Sequence, residues 1–349
     1  MKKLIWILPT LVVAFFSLSS LRLAENMVKP RPEYKISPTQ SVSQVLEKLG
    51  DASLAKPNFS MKGVSAERGA DLFLRGITVS PNGGKTSRQS KHFVCTSCHN
   101  IVREDPDLSV SDPQAKLLYA QKNNLPFLQG TAMYGAVNRT SFYNQDYFKK
   151  YGELVYPAQH NIREAIQLCA VECSQGRRVK DWEIESILAY LWTIDLKLND
   201  LNLSGKETAQ IESALSSGQG KDEAIKVIKS HYLAGSPATF TLPPDDWKKG
   251  YGLTGNAENG KLIYNLSCKH CHENKKYSYF LLDDSRLTFK HLNKHLQNFS
   301  RYSIYQVGRW GTPPMNGKRA YMPQYTAEKM SNQQMEDLRA YIEEKSKNG

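Results

Sequence analysis

The chain has 349 residues, 40% of them hydrophobic, and a formal net charge of +12. This length and apolar content are sufficient for two domains with hydrophobic cores, and they exclude an intrinsically disordered chain. The positive charge favours acidic partners or anionic surfaces. We expect no nucleic-acid partner, because the sequence has no long run of basic residues interleaved with aromatic ones.

The N-terminal segment differs in composition from the rest of the chain. Lys2 and Lys3 precede an apolar stretch at residues 4–21, a pattern typical of an export signal. The stretch is about as long as a bilayer core requires, and no clear Ala-x-Ala cleavage site follows it. Residues 1–27 are therefore predicted to be either a removed signal peptide or a retained membrane anchor. In both cases the remainder of the chain is predicted to be periplasmic.

The first folded region is predicted to begin with a helix that carries Gly69 and, one turn later, Phe73 on the same face. A glycine on this face allows a second helix to approach closely. Residues 77–92 are rich in Gly, Ser and Lys and predict a surface loop. The region ends in a predicted amphipathic helix that contains Tyr190.

A linker is predicted between this region and the next. Residues 200–233 are expected to be helical, and Ser204 with Glu207 forms a capping box at the start of that helix. Residues 235–246 contain prolines and predict an extended connection.

The second folded region repeats the pattern of the first. Gly260 is followed one turn later by Tyr264, and the region ends in an amphipathic helix that contains Tyr341. That helix is predicted to begin at a capping box formed by Ser331 and Gln334. The repetition predicts two copies of one domain.

Each copy carries the motif C-x-x-C-H, which is typical of covalent haem attachment. Two thiols at this spacing each bond one vinyl group of a porphyrin, and the imidazole that follows becomes the fifth iron ligand. A thioredoxin-like or zinc site would require a βαβ pattern or a second ligand pair nearby, and the sequence predicts neither. We therefore predict two haem c groups. They would be held by Cys95, Cys98, His99, Cys268, Cys271 and His272.

The sixth iron ligand of the second haem is predicted to be Met322, which is followed by proline and precedes the last helix. A thioether in this position raises the reduction potential. The alternatives are Met315, His291 and His295.

The equivalent position of the first copy lies between Cys169 and Cys173 and has no methionine. A thiolate ligand lowers the reduction potential, so the two haems are expected to be tuned in opposite directions. Cys169 is predicted ahead of Cys173, and Met133 and His160 are alternatives. The two cysteines are alternatively joined in a disulfide, although their spacing on a helix is strained for that bond.

Both copies resemble class I cytochromes c, in which a helix with Gly and an aromatic residue, C-x-x-C-H, a ligand loop and a crossing helix follow in this order. The resemblance covers roughly residues 62–198 and 246–345. It implies an all-α fold with cytochrome c-like domains at 62–198 and 246–347, joined by a helical linker at 199–245.

Residues 162–194 are similar to part of the first domain of dihaem thiosulfate dehydrogenases, and to the cytochrome subunit of sulfur-oxidising complexes. This resemblance implies that Cys169 is the thiolate ligand of a catalytic haem that acts on a small sulfur anion. Where an arginine is expected before the serine in those enzymes, this chain has Cys173. Arg177 and Arg178 follow and are candidates for binding an anion, although solvated side chains are the simpler expectation.

The resulting prediction is a dihaem electron carrier with acidic redox partner proteins. The alternative is an oxidoreductase of the thiosulfate dehydrogenase type, with Cys169 as the catalytic residue. A dihaem peroxidase would need an iron with an open sixth position, which no feature of the sequence indicates. Residues 142–151 combine aromatic residues with lysines, and ordinary packing is expected there ahead of a role at a haem edge or partner site.

Overall fold

A computed structural model of the chain describes residues 34–296, 298, 300, 302–312 and 322–347. Over these ranges the regular secondary structure is helical, and the β-structure consists of isolated bridges only. The prediction of an all-α fold is confirmed. The predicted signal peptide or anchor at residues 1–27 and the alternative ligand Met315 lie outside the described residues. No helix among the described residues is long and apolar enough to cross a membrane.

The helices are numbered here in chain order. Those up to residue 200 are α1 Val42–Leu49, α2 Ala66–Arg75, α3 Pro113–Lys122, α4 Phe148–Tyr151, α5 Val155–Ala158, α6 Ile162–Leu168 and α7 Asp181–Thr193. Those that follow are α8 Gly205–Ser217, α9 Lys221–Ser230, α10 Ala257–Ile263, α11 Lys269–His272, α12 Arg286–Leu296, α13 Ile304–Trp310 and α14 Asn332–Lys347. Single π-helical turns continue α6 and α10, at Cys169–Cys173 and Tyr264–Cys268. Short 3-10 turns are Cys95–Ser97, Ala136–Asn138, Gln145–Tyr147, Gly152–Leu154 and Leu198–Asp200.

Helices α2 and α7 of the first copy cross at Gly69. A methyl group on Gly69 would lie 1.8 Å from the Ser186 carbonyl oxygen, so only glycine permits this contact. One turn further along, the Phe73 and Tyr190 rings pack with their centroids 5.5 Å apart. The predicted close approach of a second helix is confirmed.

Helices α10 and α14 of the second copy cross in the same way. A methyl group on Gly260 would lie 2.0 Å from the Asp337 carbonyl oxygen, and the Tyr264 and Tyr341 rings are 5.7 Å apart. The start of α14 is fixed by the predicted capping box, in which the backbone N–H of Gln334 donates to the Ser331 hydroxyl at 3.1 Å. The internal repeat is therefore a repeat of helix packing as well as of sequence.

The linker region has a hydrophobic core of its own, which the sequence analysis did not anticipate. Helices α8 and α9 pack with α1, a helix near the start of the described residues, around Val45, Leu46, Ile211 and Ile228. The predicted capping box at Ser204 is present, since the N–H of Glu207 donates to the Ser204 hydroxyl at 3.3 Å. The linker is thus a packed helical element.

The two copies are packed directly against each other. Leu117 and Phe127 of the first copy belong to the same buried cluster as Phe289 of the second copy. The backbone N–H of Phe127 also donates to the carbonyl of Leu266 at 2.9 Å. Burial of this apolar surface brings the segment after the first C-x-x-C-H motif against the segments on either side of the second.

Candidate functional site

The first motif begins in the 3-10 turn Cys95–Ser97 and ends at His99. The His99 Nδ1 atom lies 2.7 Å from the carbonyl oxygen of Thr131. A carbonyl oxygen only accepts, so Nδ1 carries the proton and Nε2 remains available as a metal ligand. Burial lowers the pKa of His99, which keeps the imidazole neutral.

Gly130 packs against the His99 ring. A methyl group on Gly130 would lie 2.6 Å from ring atoms of His99 and 2.5 Å from the Cys98 carbonyl oxygen. The N–H of Gly130 donates to that same carbonyl at 3.0 Å. A residue without a side chain is therefore required to bring the Thr131 carbonyl to the imidazole.

The second motif lies on the π-helical turn Tyr264–Cys268 and on α11. The His272 Nδ1 atom donates to the carbonyl oxygen of Phe280 at 2.7 Å, and burial lowers the pKa of this imidazole also. Both histidines therefore have the same hydrogen bond and the same available nitrogen. Phe280 itself is 39% exposed, whereas Thr131 of the first copy is half-buried.

A chain of hydrogen bonds joins the two motifs. Gln129 donates from Nε2 to the Cys98 sulfur at 3.5 Å, and its Oε1 accepts from the Tyr325 hydroxyl at 3.5 Å. The Tyr325 hydroxyl is also hydrogen-bonded to that of Ser267, the residue before the second motif. This chain of hydrogen bonds brings the two motifs close together, and burial and then the nearby thiol of Cys271 raise the pKa of Cys98.

Cys169 and Cys173 lie on the π-helical turn after α6, where the N–H of Ser174 donates to the Cys169 carbonyl at 2.8 Å. Both thiols are free, so the structure does not have the alternative disulfide. A hydrogen bond to Cys173, then burial, then the Cys95 and Cys98 thiols raise the pKa of Cys169. The influence of the Cys95 and Cys98 thiols indicates that this π-helical turn lies near the first motif.

Tyrosine hydroxyls surround Cys173. The Tyr151 hydroxyl lies 3.3 Å and the Tyr143 hydroxyl 3.8 Å from the Cys173 sulfur. The hydrogen bond from Cys169 lowers the pKa of Cys173 to about 6 against the effect of burial, and the two tyrosines and Lys150 add to the lowering. Residues 142–151 therefore contact this thiol in addition to packing. These contacts were not predicted from the sequence.

Met322 is partly buried and packs against the core of the second copy, against which Cys268 also packs. Its backbone is fixed by Thr312, whose side-chain oxygen accepts from the Met322 N–H at 2.8 Å. The alternatives His291 and His295 pack beside each other, 4.7 Å between ring centroids, and His291 lies 5.9 Å from the Phe280 ring. They are thus next to the residue whose carbonyl holds His272.

Met133 and His160, the alternative ligands of the first copy, differ in burial. The N–H of Met133 donates at 2.7 Å to the carbonyl of Asn100, the residue after His99, so Met133 lies beside the fifth ligand. His160 is exposed, with Nδ1 3.0 Å from the Thr140 carbonyl oxygen.

Arg177 and Arg178 differ in their surroundings. Arg177 forms two hydrogen bonds with the buried carboxylate of Glu183, at 2.6 and 2.7 Å, and also donates to the Ser87 carbonyl. Its guanidinium is therefore engaged in a structural ion pair. Arg178 is exposed.

A buried charge cluster, which the sequence analysis also missed, lies behind the first motif. Glu104 is 2% exposed, and its Oε1 atom accepts from Lys116 at 3.1 Å and from Lys329 of the second copy at 2.7 Å. Lys116 also donates to Asp105 at 2.8 Å. The cluster is a fixed ionic contact between the two copies.

Comparison with protein-family models, curated proteins and solved structures finds no match to this chain. Within the part of the chain that the structure describes, no group of three or more His, Cys, Asp and Glu side chains is arranged to hold a metal ion.

Proposed function

We propose that this protein is an exported dihaem c-type cytochrome that transfers single electrons through two adjacent haems. The observation that carries the proposal is the chain of hydrogen bonds between two C-x-x-C-H motifs, each of which follows the first helix of an equivalent helix pair. Haem iron, when bound, supplies one-electron redox chemistry. The packed interface between the copies would keep both sites at a fixed separation.

The donor groups of each motif fit this cofactor. The paired thiols are free for thioether bonds, and both imidazoles are neutral with Nδ1 engaged by a backbone carbonyl. A histidine ligand is normally oriented by such a hydrogen bond on its second nitrogen. These features support His99 and His272 as the fifth ligands.

The sixth ligands of this proposal are Met322 for the second haem and Cys169 for the first. Met322 is supported by its partial burial against the core of the second copy, which Cys268 also contacts, and its rival His291 lies beside Phe280, whose carbonyl holds His272. Cys169 is supported by the influence of the Cys95 and Cys98 thiols on it, and Cys173 remains its alternative because the hydrogen bond between the two thiols lowers the pKa of Cys173 and raises that of Cys169.

A second candidate function is oxidation of a small sulfur anion at the first haem. The contacts of the Cys173 thiol with Tyr143 and Tyr151 favour it, since hydroxyl groups would donate hydrogen bonds to an anion bound beside the cysteines. The half-buried Lys150 nearby would add positive charge. Donors and charge of this kind stabilise an anion in a protected site.

Covalent haem content tests the proposal. The full chain is produced in a host that attaches haem c, and its mass is measured after denaturation. We expect two haems per chain, one after Cys95→Ala with Cys98→Ala, and one after Cys268→Ala with Cys271→Ala. A chain that carries no covalent haem under conditions where a control cytochrome is loaded would overturn the proposal.

The donor and acceptor are expected to be acidic proteins, since the chain is basic. Electron transfer to an acidic partner should slow as ionic strength rises.

For the second candidate, thiosulfate is added to the oxidised protein and haem reduction is followed by absorbance. Reduction in the unsubstituted protein and its loss in Cys169→Ala would support catalysis, and no reduction would leave the electron carrier.

A further inference from the structure

One peptide group connects His99 to the buried charge cluster. The carbonyl of Thr131 accepts from His99 Nδ1 at 2.7 Å. The N–H of the same peptide group belongs to Ala132 and donates to Glu104 Oε1 at 2.9 Å. The imidazole and the carboxylate therefore bond to opposite ends of one polarisable amide.

The carboxylate of Glu104 is shared between the two copies. Its Oε1 atom accepts from Lys329 of the second copy at 2.7 Å as well as from Lys116, and its Oε2 atom accepts from Asn100 at 3.1 Å. Burial opposes its ionisation, but the Lys329 and Lys116 ammonium groups outweigh burial and lower the pKa of Glu104. Lys329 is only 4% exposed, so water does little to screen this contact.

We propose that Glu104 and Lys329 set the reduction potential of the first haem through the Thr131–Ala132 peptide group. This inference rests on the proposed function, because it requires iron at His99. A carboxylate on the N–H end of an amide increases the negative charge on its carbonyl oxygen. The carbonyl then draws the Nδ1 proton more strongly, the imidazole becomes a better electron donor, and the oxidised iron is stabilised.

Lys329 acts in the opposite direction. Its ammonium group withdraws charge from Glu104 and so weakens the effect of the carboxylate on the amide. Because Lys329 belongs to the second copy, the second domain adjusts the potential of the haem in the first. Both residues are positioning residues, since neither contacts the predicted iron ligand.

The second motif lacks this arrangement. His272 donates to the Phe280 carbonyl, and the N–H at the other end of that peptide group belongs to Leu281, which is 45% exposed. Among the described residues no carboxylate accepts from the Leu281 N–H. The second haem is therefore an internal reference for any change made at the first.

The test is a redox titration of the haem-loaded full chain, with each potential followed by its own spectroscopic signal. We expect Glu104→Gln to raise the potential of the first haem and Lys329→Met to lower it. Each change should alter the redox equilibrium by about tenfold, equivalent to about 59 mV for one electron. The reduction potential of the second haem should not change. Lys329→Arg keeps the positive charge, so it should reverse most of the shift seen in Lys329→Met.

The matched control is Asp105→Asn. It removes a negative charge that also pairs with Lys116, but Asp105 does not bond to the Thr131–Ala132 peptide group. A shift in Glu104→Gln well above that in Asp105→Asn supports the inference. Equal shifts in the two variants, shifts of the same sign in Glu104→Gln and Lys329→Met, or equal movement of both haems would overturn it.

The haem content of each variant is measured on the same samples, which separates the two levels of the account. Absence of covalent haem from the unsubstituted chain contradicts the proposed function. If the protein carries two haems but the reduction potential of the first haem is unchanged in the variants, this inference is contradicted and the proposed function is not. If Glu104→Gln does not fold, the opposite shift expected for Lys329→Met still decides the matter, since Glu104 keeps Lys116 as a partner there.

Discussion

The two copies have the same helix packing but differ in the residues that surround their cysteine and histidine side chains. Gly69 and Gly260 make the same interhelical contact, and His99 and His272 make the same 2.7 Å hydrogen bond. The first motif, however, is enclosed by a buried carboxylate and two additional cysteines. The second is held by a peptide group near the surface. Repetition of a fold thus fixes the attachment geometry, while the side chains packed around each copy adjust its chemistry.

The largest expected difference between the copies concerns one position. It is the residue that precedes the one whose carbonyl accepts the hydrogen bond from each histidine. In the first copy this is Gly130, where any side chain collides with the His99 ring, and in the second it is Tyr279, which is 77% exposed. We expect Gly130→Val to abolish normal ligation of the first haem. The absorption spectrum of the oxidised protein should then contain one altered and one normal haem.

The paired control for this change is Tyr279→Val, which should leave both haems unaltered. Normal ligation in Gly130→Val would mean that the Thr131 carbonyl does not orient His99.

Loss of the buried ion pairs at Glu104 is expected to have the next largest effect. Removal of one partner from a buried pair costs about 3–5 kcal/mol, so Glu104→Gln should lower the free energy of unfolding by up to this amount at pH 7. Over the described residues, no such buried ion pair bonds to the peptide group that holds His272. Denaturant unfolding of the haem-loaded protein measures the effect, and Glu47→Gln, in a partly exposed pair with Lys56, should cost no more than about 1 kcal/mol.

The Glu104 carboxylate should also make the stability of the protein depend on pH, in a direction that follows from its pKa. The pKa of Glu104 in the folded protein lies below its ordinary value of 4.5, so its stabilising contribution is complete above that pH. The contribution is lost as the pH falls from 4.5 through the lower folded pKa. The stability difference between the unsubstituted protein and Glu104→Gln should therefore shrink below pH 4.5, and a constant difference would contradict the buried pairing.

The glycine contacts are expected to give the smallest effect and an equal one in both copies. A methyl group at Gly69 or Gly260 would force the crossing helices apart, which we expect to cost about 1–3 kcal/mol at each position. Thermal unfolding of Gly69→Ala and Gly260→Ala measures this. Gly205→Ala is the control, because no atom lies within 4 Å of the added methyl group. A neutral effect at either crossing would mean that the helix pairs are not equivalent.

Local patterns predicted much of this structure. The helix pairs and the capping boxes at Ser204 and Ser331 all depend on spacing within a short stretch of sequence. The charge cluster was not predictable in this way, because Glu104 and Lys329 are separated by 225 positions and each resembles an ordinary surface charge. Helix α1 was missed for a similar reason, since its apolar face is covered by distant helices.

The contacts of Cys173 also depend on tertiary structure. Tyr143 and Tyr151 lie 30 and 22 positions before it, in short turns without a clear period. The aromatic content of residues 142–151 was the available signal in the sequence. It indicated packing but did not identify the Cys173 thiol as a contact.

The most direct test of different tuning in two equivalent copies is a redox titration of the haem-loaded protein followed by low-temperature EPR. We predict two low-spin species, with the one of thiolate type at the lower potential. The thiolate-type signal should disappear in Cys169→Ala and persist in Cys173→Ala. A spectrum without a thiolate-type species, or two haems that titrate at one potential, would contradict the account.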